Sequence, residues 1–244
     1  MRKWRYGLAL AALILVIVIV RSLMLTQLRV DSVSLQPALW QGDRVLVDRM
    51  SYGVQIPWAG PLGYRRLGEG RPVRRQIVAY HDPMQRNLTK RSVHLLAGDV
   101  CLGRCVLLPG DTLWLYVPAV GDTVRRDTWQ PFVIPAKGQL VSVRPWNIAL
   151  LINALHLHEG ANVCPATDSS LVVDGREMTR VRFSQDYYWI RADRPTSAAY
   201  DSRVFGLLPA SNLIGRALCV TYSIDPQAPS LQGWRWNRLL TSLD

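Results

Sequence analysis

A serine hydroxyl activated by a neighbouring base is one covalent chemistry that the residue types of this sequence allow. A hydroxyl is a weak nucleophile until a base removes its proton. Histidine is the usual base, but a lysine can serve if burial disfavours its charged form. Ser32 and Ser34 lie in the segment 31–39, which Pro37 stiffens. By local physics alone, serines in such a segment are more typical of a turn. The lysines of the chain are Lys3, Lys90 and Lys137.

Metal and cofactor chemistry is not indicated. The four cysteines have no metal-ligand spacing, and the nearest candidate cluster is His156, His158 and Glu159, in which two histidines alone are a weak signal. The sequence leaves open whether Cys164 and Cys219 form a disulfide. We expect no metal ion and no cofactor.

The N-terminal residues predict a membrane anchor. Basic residues at 2, 3 and 5 precede an apolar run, and Gly7 to Leu28 is 22 residues, about 33 Å as a helix, which is enough to cross the hydrocarbon core. A cleaved signal peptide is the alternative, but no small-x-small cleavage site follows the run. We expect residues 1–28 to form an uncleaved anchor, with the N-terminus in the cytoplasm and the rest of the chain on the outer, periplasmic face.

The chain is strongly basic, with 29 Lys and Arg against 18 Asp and Glu and a formal net charge of +11. A basic balance indicates either nucleic acid or an anionic membrane as a partner. Because no helix-turn-helix or RNA-binding signature is found, we expect membrane lipid and no nucleic acid. The C-terminal tail, 226–244, contains Trp234 and Trp236, and we expect it either to rest on the membrane interface or to be a frayed end.

Alternation of apolar and polar residues between turn signals predicts a mainly β fold after the anchor. With 49% hydrophobic and 19% charged residues, the chain can bury a core. Asp174-Gly175 predicts a hairpin with a type I′ turn, Pro57–Pro72 a surface loop, and helical periodicity is confined to Pro145–His156. The predicted strands are 44–48, 76–80, 100–108, 112–117, 171–173, 186–190 and 213–222.

These elements suggest an antiparallel β core with an insertion. We expect the core to consist of residues 29–117 and 186–225. An inserted β-rich subdomain, 118–185, interrupts it, and the tail follows.

Four blocks of sequence carry a resemblance to a known family. They are Ser32–Leu39 (SVSLQPAL), Gly42–Gly53 (GDRVLVDRMSYG), Gly103–Thr112 (GRCVLLPGDT) and Tyr188–Pro209, followed by Ile214–Ala217 (IGRA). In this order they resemble the S-x-S-M-x-P-T-L, GD-x-(V/I)-x-V-x-K-x-x-Y-G, K-R-x-(V/I)-G-L-P-G-D and GDNRDNSxDSRxWGxVP patterns of the bacterial type I signal peptidases, the membrane-anchored Ser/Lys endopeptidases of family S26. The length and the insertion are most similar to the versions found in Bacteroidetes.

The resemblance implies an enzyme that cleaves signal peptides from exported preproteins after a small-x-small motif, with no cofactor. Matched position by position, Ser34 is the nucleophile. Ser32 donates its hydroxyl to the oxyanion, with the Ser34 backbone N–H as the second donor. Asp201 and Arg203 correspond to the structural acid–base pair that braces the wall of the active site.

Two departures from the family pattern concern the lysine. The turn at 109–111 sets the register of the third block and places Gly103 where the family has its general base. Lys90 lies in a segment that faintly resembles the lysine block, so either the lysine has moved one strand back or the base is absent. In the fourth block, which has two extra residues, the serine that orients the lysine is Ser197 if the loop bulges, or Ala199 takes its place.

We therefore expect a single-pass signal peptidase of the cytoplasmic membrane with a Ser34–Lys90 dyad. The alternative is a catalytically inactive, divergent paralogue of the same fold that binds signal peptides or a partner protein.

Overall fold

A computed structural model describes residues 6, 24–56, 65–68, 70–84, 100–117, 128–194, 196, 199–229 and 232–243. The fold is mainly β, as the alternation predicts. The strands are β1 (Leu25–Arg29), β2 (Asp43–Asp48), β3 (Val54–Ile56), β4 (Arg65–Leu67), β5 (Ile77–His81), β6 (Val100–Leu107), β7 (Thr112–Val117), β8 (Thr128–Val133), β9 (Leu140–Ser142), β10 (Val163–Thr167), β11 (Ser170–Val173), β12 (Arg176–Met178), β13 (Arg180–Arg182), β14 (Tyr187–Arg191), β15 (Leu208–Pro209), β16 (Leu213–Ser223) and β17 (Thr241–Ser242). The helices are α1 (Ile148–His158) and the one-turn α2 (Ser202–Phe205).

One large antiparallel sheet organises the molecule. Its strands lie in the order β1-β2-β16-β5-β6-β14-β15. Alternate residues of β2, among them Val45 and Val47, are fully buried, which is the period-2 pattern of a strand with one face on the core. The long strand β16 pairs with β2 along its length, with β5 at its start and with β17 near its end.

Three smaller sheets, built from the chain between β6 and β14, form a second unit. In them β7 pairs with β8, β9 pairs with β13, and β11 pairs with both β10 and β12. Together with α1 they enclose a second core, the insertion cluster, which comprises Phe132, Ile134, Val141, Val143, Leu151, Ala154, Leu155, Leu171, Val181, Phe183, Tyr187, Trp189 and Leu207. We expected β7 in the main core, but it pairs with β8 and packs Leu113 and Leu115 against this cluster.

Strand β14 separates the two cores. Tyr187 and Trp189 pack in the insertion cluster, whereas Tyr188 and Ile190 pack in a cluster on the main sheet. Because successive side chains of a strand point to opposite faces, an unbroken apolar run is what a strand buried on both faces requires. Burial of each of these side chains contributes about 1.5–3 kcal/mol to the free energy of unfolding.

The predicted type I′ turn at Asp174-Gly175 is confirmed. Asp174 and Gly175 join β11 to β12 with φ angles of 49° and 82°, and a type I′ turn requires positive φ at both central residues. The predicted strand 100–108 and the helix within Pro145–His156 are also found, with small shifts of their ends. The predicted surface loop Pro57–Pro72 differs, because its described part contains β4, paired with β3.

The expected anchor overlaps the sheet. Residues Leu25 to Leu28, the last four of the predicted span, belong to β1 and pair with β2. An apolar run that continues into a strand cannot be divided by hydropathy alone. The preceding part, residues 7–23, lies outside the described residues. Within the described ranges, no helix is both long and apolar enough to cross a bilayer.

The tail is not frayed, which corrects one of the two expectations for it. Trp234 forms a β-bridge with Ile224, and Thr241 and Ser242 form β17 against β16. The strand pairing satisfies backbone groups that a frayed end would leave to water.

His158 is the last residue of α1 and lies beside Tyr187 of β14. Its ring packs 6.1 Å from that of Tyr187. Burial lowers its pKa to about 4, although a hydrogen bond with the Leu207 backbone opposes the shift. The neutral form is therefore the one that the fold accommodates.

We predict that stability falls as the pH is lowered from about 6.5 to 4. In that window the unfolded chain binds a proton at His158 that the folded chain does not, which costs at most about 1.4 kcal/mol per pH unit. Urea unfolding of the detergent-solubilised chain, followed at several pH values, should therefore show a shallower pH dependence in His158→Gln. The matched control is His156→Gln, the same substitution at an exposed position of the same helix. Equal slopes in parent and His158→Gln would contradict the assignment.

Candidate active site

Ser34 lies on the loop that joins β1 to β2. The base of this loop is closed by a hydrogen bond from Val30 N–H to Asp43 O, 2.9 Å long. Leu35 and Leu39 are buried in the core. Because the leucines anchor the loop from inside, the serines before them remain at the surface, in reach of a substrate.

Ser32 and Ser34 are in direct contact. The Ser32 hydroxyl donates to Ser34 Oγ at 2.9 Å, and the Ser34 backbone N–H donates to Ser32 Oγ at 3.1 Å. The two groups that the resemblance names as oxyanion donors, the Ser32 hydroxyl and the Ser34 N–H, are thus each engaged with the other serine. To donate to a bound carbonyl oxygen, the Ser32 hydroxyl has to leave Ser34 Oγ and also release the Ser34 N–H.

Residues 191–194, the last residue of β14 and the three that follow it, form a wall segment beside this loop. Arg194 N–H donates to Ser34 O at 2.9 Å, and Arg194 Nη1 donates to Gln36 Oε1 at 2.8 Å. The backbone position of Ser34 is thus tied to that of the wall segment.

Asp201, paired with Arg203, binds the backbone of the wall segment. Arg203 binds the Asp201 carboxylate through Nε and Nη2, at 2.9 and 2.7 Å, and Asp201 Oδ2 also accepts Ala192 N–H at 3.0 Å. Asp201 is also the N-cap of α2, since its side chain accepts the Arg203 N–H. Burial tends to raise the pKa of the Asp201 carboxyl, but these hydrogen bonds outweigh it and the pKa lies below its usual value.

Sequence reasoning missed a second arginine–carboxylate pair and one hydroxyl. Arg104 binds Asp193 of the wall segment through two hydrogen bonds of 2.6 and 2.7 Å, and this contact raises the pKa of Arg104. Ser202 Oγ accepts Ile190 N–H at 2.9 Å. Arg104 and Asp193 stand in the third and fourth blocks, but the sequence does not show that β6 and β14 are neighbours.

Position 103 has no room for a side chain. A Cβ at Gly103 would lie 2.3 Å from Ile190 Cγ2 and 3.2 Å from Tyr80 Cε1. Both neighbours are completely or almost completely buried. A lysine at this position, as in the family pattern, is therefore incompatible with the present packing.

Two of the other predicted site residues, Lys90 and Ser197, lie outside the described residues. Ala199, the alternative to Ser197, is buried. Lys137 is exposed in the turn before β9, and its backbone N–H donates to Asp186.

The histidine cluster does not converge on one point. His156 is exposed, while Glu159 accepts a hydrogen bond of 2.8 Å from the Tyr187 hydroxyl. Among the described residues, no three His, Cys, Asp or Glu side chains lie where they could hold a metal ion. Cys164 and Cys219, whose pairing the sequence left open, are both free.

The packing at position 103 predicts a specific coupling. Gly103→Ala should lower the free energy of unfolding by about 1–3 kcal/mol, because the new methyl overlaps Ile190. In an Ile190→Ala background most of that cost should disappear, as measured by a double-mutant cycle in urea.

Leu208→Ala provides the control background, since Leu208 is buried in the same cluster but is not among the nearest neighbours of the Gly103 Cβ. There, Gly103→Ala should keep its full cost. The same cost in both backgrounds would refute the steric explanation.

Comparison with known proteins agrees with the order of the sequence blocks. The family described as "Signal peptidase, peptidase S26" matches residues 3–222. Signal peptidase I of Pseudomonas aeruginosa is 24% identical over 250 aligned residues, which cover 93% of this chain and 75% of that protein. Signal peptidase I of Pseudomonas fluorescens is 29% identical over 97 residues, covering 39% of this chain and 33% of that protein. The family match extends over both serines, the wall segment and the Asp201–Arg203 pair, and the chain belongs to the S26 family of signal peptidases.

Proposed function

We propose that this protein is a type I signal peptidase that cleaves signal peptides from exported preproteins, with Ser34 as its nucleophile. The observation that carries the proposal is the Ser32–Ser34 contact on a loop fixed to the wall segment, in a chain of the S26 family. Both relatives named above are signal peptidases, which supports the same substrate class.

In the proposed reaction, Ser34 Oγ attacks the scissile carbonyl carbon as its proton passes to a neutral lysine amine. The carbonyl oxygen becomes negatively charged and accepts hydrogen bonds from the Ser32 hydroxyl and the Ser34 N–H. The lysine then donates the proton to the leaving amine, and an acyl-enzyme remains on Ser34. A water molecule, deprotonated by the same lysine, hydrolyses the ester and restores the serine.

We propose Lys90 as this base and Ser197 as the residue that orients it. The proposal is supported by the unsuitability of the other positions for a buried base. Position 103 is a glycine enclosed by buried neighbours, and Lys137 lies in an exposed turn. Lys3 precedes the proposed anchor and would lie on the opposite side of the membrane. Lys90 belongs to the connection between β5 and β6, the strand that carries Gly103.

The proposed location is the cytoplasmic membrane. An N-terminal anchor would leave the N-terminus in the cytoplasm and the β domain on the outer face, where exported preproteins emerge. Because the proposed Ser34 lies close after such an anchor, cleavage would occur beside the lipid surface.

The dyad is tested by cleavage of a purified preprotein by the full chain in detergent. Ser34→Ala and Lys90→Ala should each lower kcat about a thousandfold or more. Lys90→Arg should be equally impaired, because an arginine keeps its charge but does not release a proton in proteins.

Lys137→Ala provides the matched control and should cleave like the parent. Activity that survives both Ser34→Ala and Lys90→Ala would reject the mechanism. A parent chain that binds the preprotein without cleaving it would instead favour the non-catalytic alternative.

Ser32 is tested separately as the oxyanion donor. Ser32→Ala should lower kcat about a hundred- to a thousandfold, because it removes one donor from the developing oxyanion. The measurement is steady-state cleavage of the same preprotein, and KM should change little. Ser32→Thr keeps the hydroxyl and should recover much of the loss; a kcat near the parent value in Ser32→Ala would exclude the role.

A further inference from the structure

The C-terminal tail contacts the loop that carries Ser34. Residues 226–244 lie beyond the region matched by the S26 family, 3–222, so the family resemblance assigns them no role. Their 3₁₀ turn, Trp236–Arg238, follows the bridge between Trp234 and Ile224. Two arginines of this part of the tail, Arg235 and Arg238, extend to the second half of the loop.

Arg238 makes the more extensive contact. Its Nε and Nη2 bind Asp43 Oδ1 and Oδ2 at 3.0 and 2.6 Å, and Nη2 also donates to Ala38 O at 2.9 Å. Asp43 is fully buried, and its Oδ2 accepts Trp40 N–H at 2.7 Å. The planar fork of the guanidinium therefore joins the loop, at Ala38, to Asp43, the first residue of β2, which a single charged amine does not reproduce.

Arg235 holds the same half of the loop at a third point. Its Nη1 donates to Gln41 O at 2.9 Å, and Nη2 is paired with Asp225 at 2.9 Å. Both guanidinium groups lie near the Trp40 ring, whose centroid is 5.6 Å from Arg235 Cζ and 5.9 Å from Arg238 Cζ. Both distances are within the range of a cation–π interaction.

These contacts complete the restraint of the loop. Ser34 itself is tied to the wall segment through Arg194. Leu39 N–H donates to Leu35 O at 2.9 Å and connects the serine half of the loop to the half that the arginines hold. With both halves fixed, the Ser34 hydroxyl has a defined position relative to the proposed oxyanion donors. Such preorganisation of the reacting groups contributes more to catalysis than additional contact area does.

We infer that Arg238, assisted by Arg235, is a positioning residue for cleavage: the tail holds the Ser34 loop in its productive geometry by binding Asp43, Ala38 and Gln41. This inference rests on the proposed function of Ser34. It assigns the tail a role in catalysis that acts through the loop and does not involve contact with the substrate.

The test combines preprotein cleavage with hydrogen exchange measured by mass spectrometry on the full chain in detergent. In Arg238→Ala, kcat should fall at least tenfold with KM changed less than threefold. Exchange should accelerate in peptides covering 30–43 while β14 keeps the protection of the parent. Arg238→Lys should lie between the parent and Arg238→Ala in both measurements.

Arg238→Ala leaves the buried Asp43 carboxylate unpaired, and this variant can fail to fold. The double variant Arg238→Leu with Asp43→Asn removes the unpaired charge, and it should fold while showing the same loss of kcat and the same faster exchange at 30–43. Arg74→Ala provides the charge-matched control, because exposed Arg74 pairs with Asp111, and it should match the parent.

Parent-like exchange at 30–43 and parent-like kcat in the double variant would overturn the inference. So would accelerated exchange spread through the whole main sheet, since that would show a general loss of stability. Full cleavage by Ser34→Ala would overturn the proposed function itself, whereas the exchange measurement reports the restraint of the loop independently of cleavage.

Discussion

The geometry of the candidate site depends on the hydrogen bonds that the buried Asp201 carboxylate accepts. The carboxylate binds Arg203 and the Ala192 N–H, and two residues further on Arg194 holds Ser34 O. A buried carboxylate is stable only when its oxygens accept hydrogen bonds, and Asp201 is buried while its partner Arg203 is partly exposed. The backbone position of Ser34 therefore depends on the hydrogen bonds of the Asp201 carboxylate, although Asp201 does not contact Ser34.

The insertion is connected to the same geometry through β14. Its residues Tyr187 and Trp189 are packed by the insertion cluster, and Tyr188 and Ile190 by the main sheet. Strand β14 leads directly into the wall segment. Truncation of one of these side chains in either core is therefore expected to loosen the wall segment, which binds Ser34 through Arg194. Close packing of the main-sheet face also explains why position 103 is a glycine, since a Cβ there would meet Ile190 and Tyr80.

Much of this fold follows from sequence, whereas its long-range contacts do not. Strand β6 and the Asp174-Gly175 turn are specified by local alternation and backbone preference, so they were predictable. The start of β1 at Leu25, inside the apolar run, was not predictable, because a partly buried strand continues the hydropathy of the residues before it. The pairing of Arg104 with Asp193 depends on which strands are neighbours, and hydrophobic periodicity carries no such information. The serine loop was found only because its block resembles a family.

The bond between Asp43 and Arg238 joins residues 195 positions apart. Such a contact cannot form until the chain as far as Arg238 has been synthesised and has folded back. The loop that carries Ser34 therefore leaves the ribosome long before the arginine that binds beside it. On a nascent chain that stops short of Arg238, the buried carboxylate of Asp43 has to do without this partner.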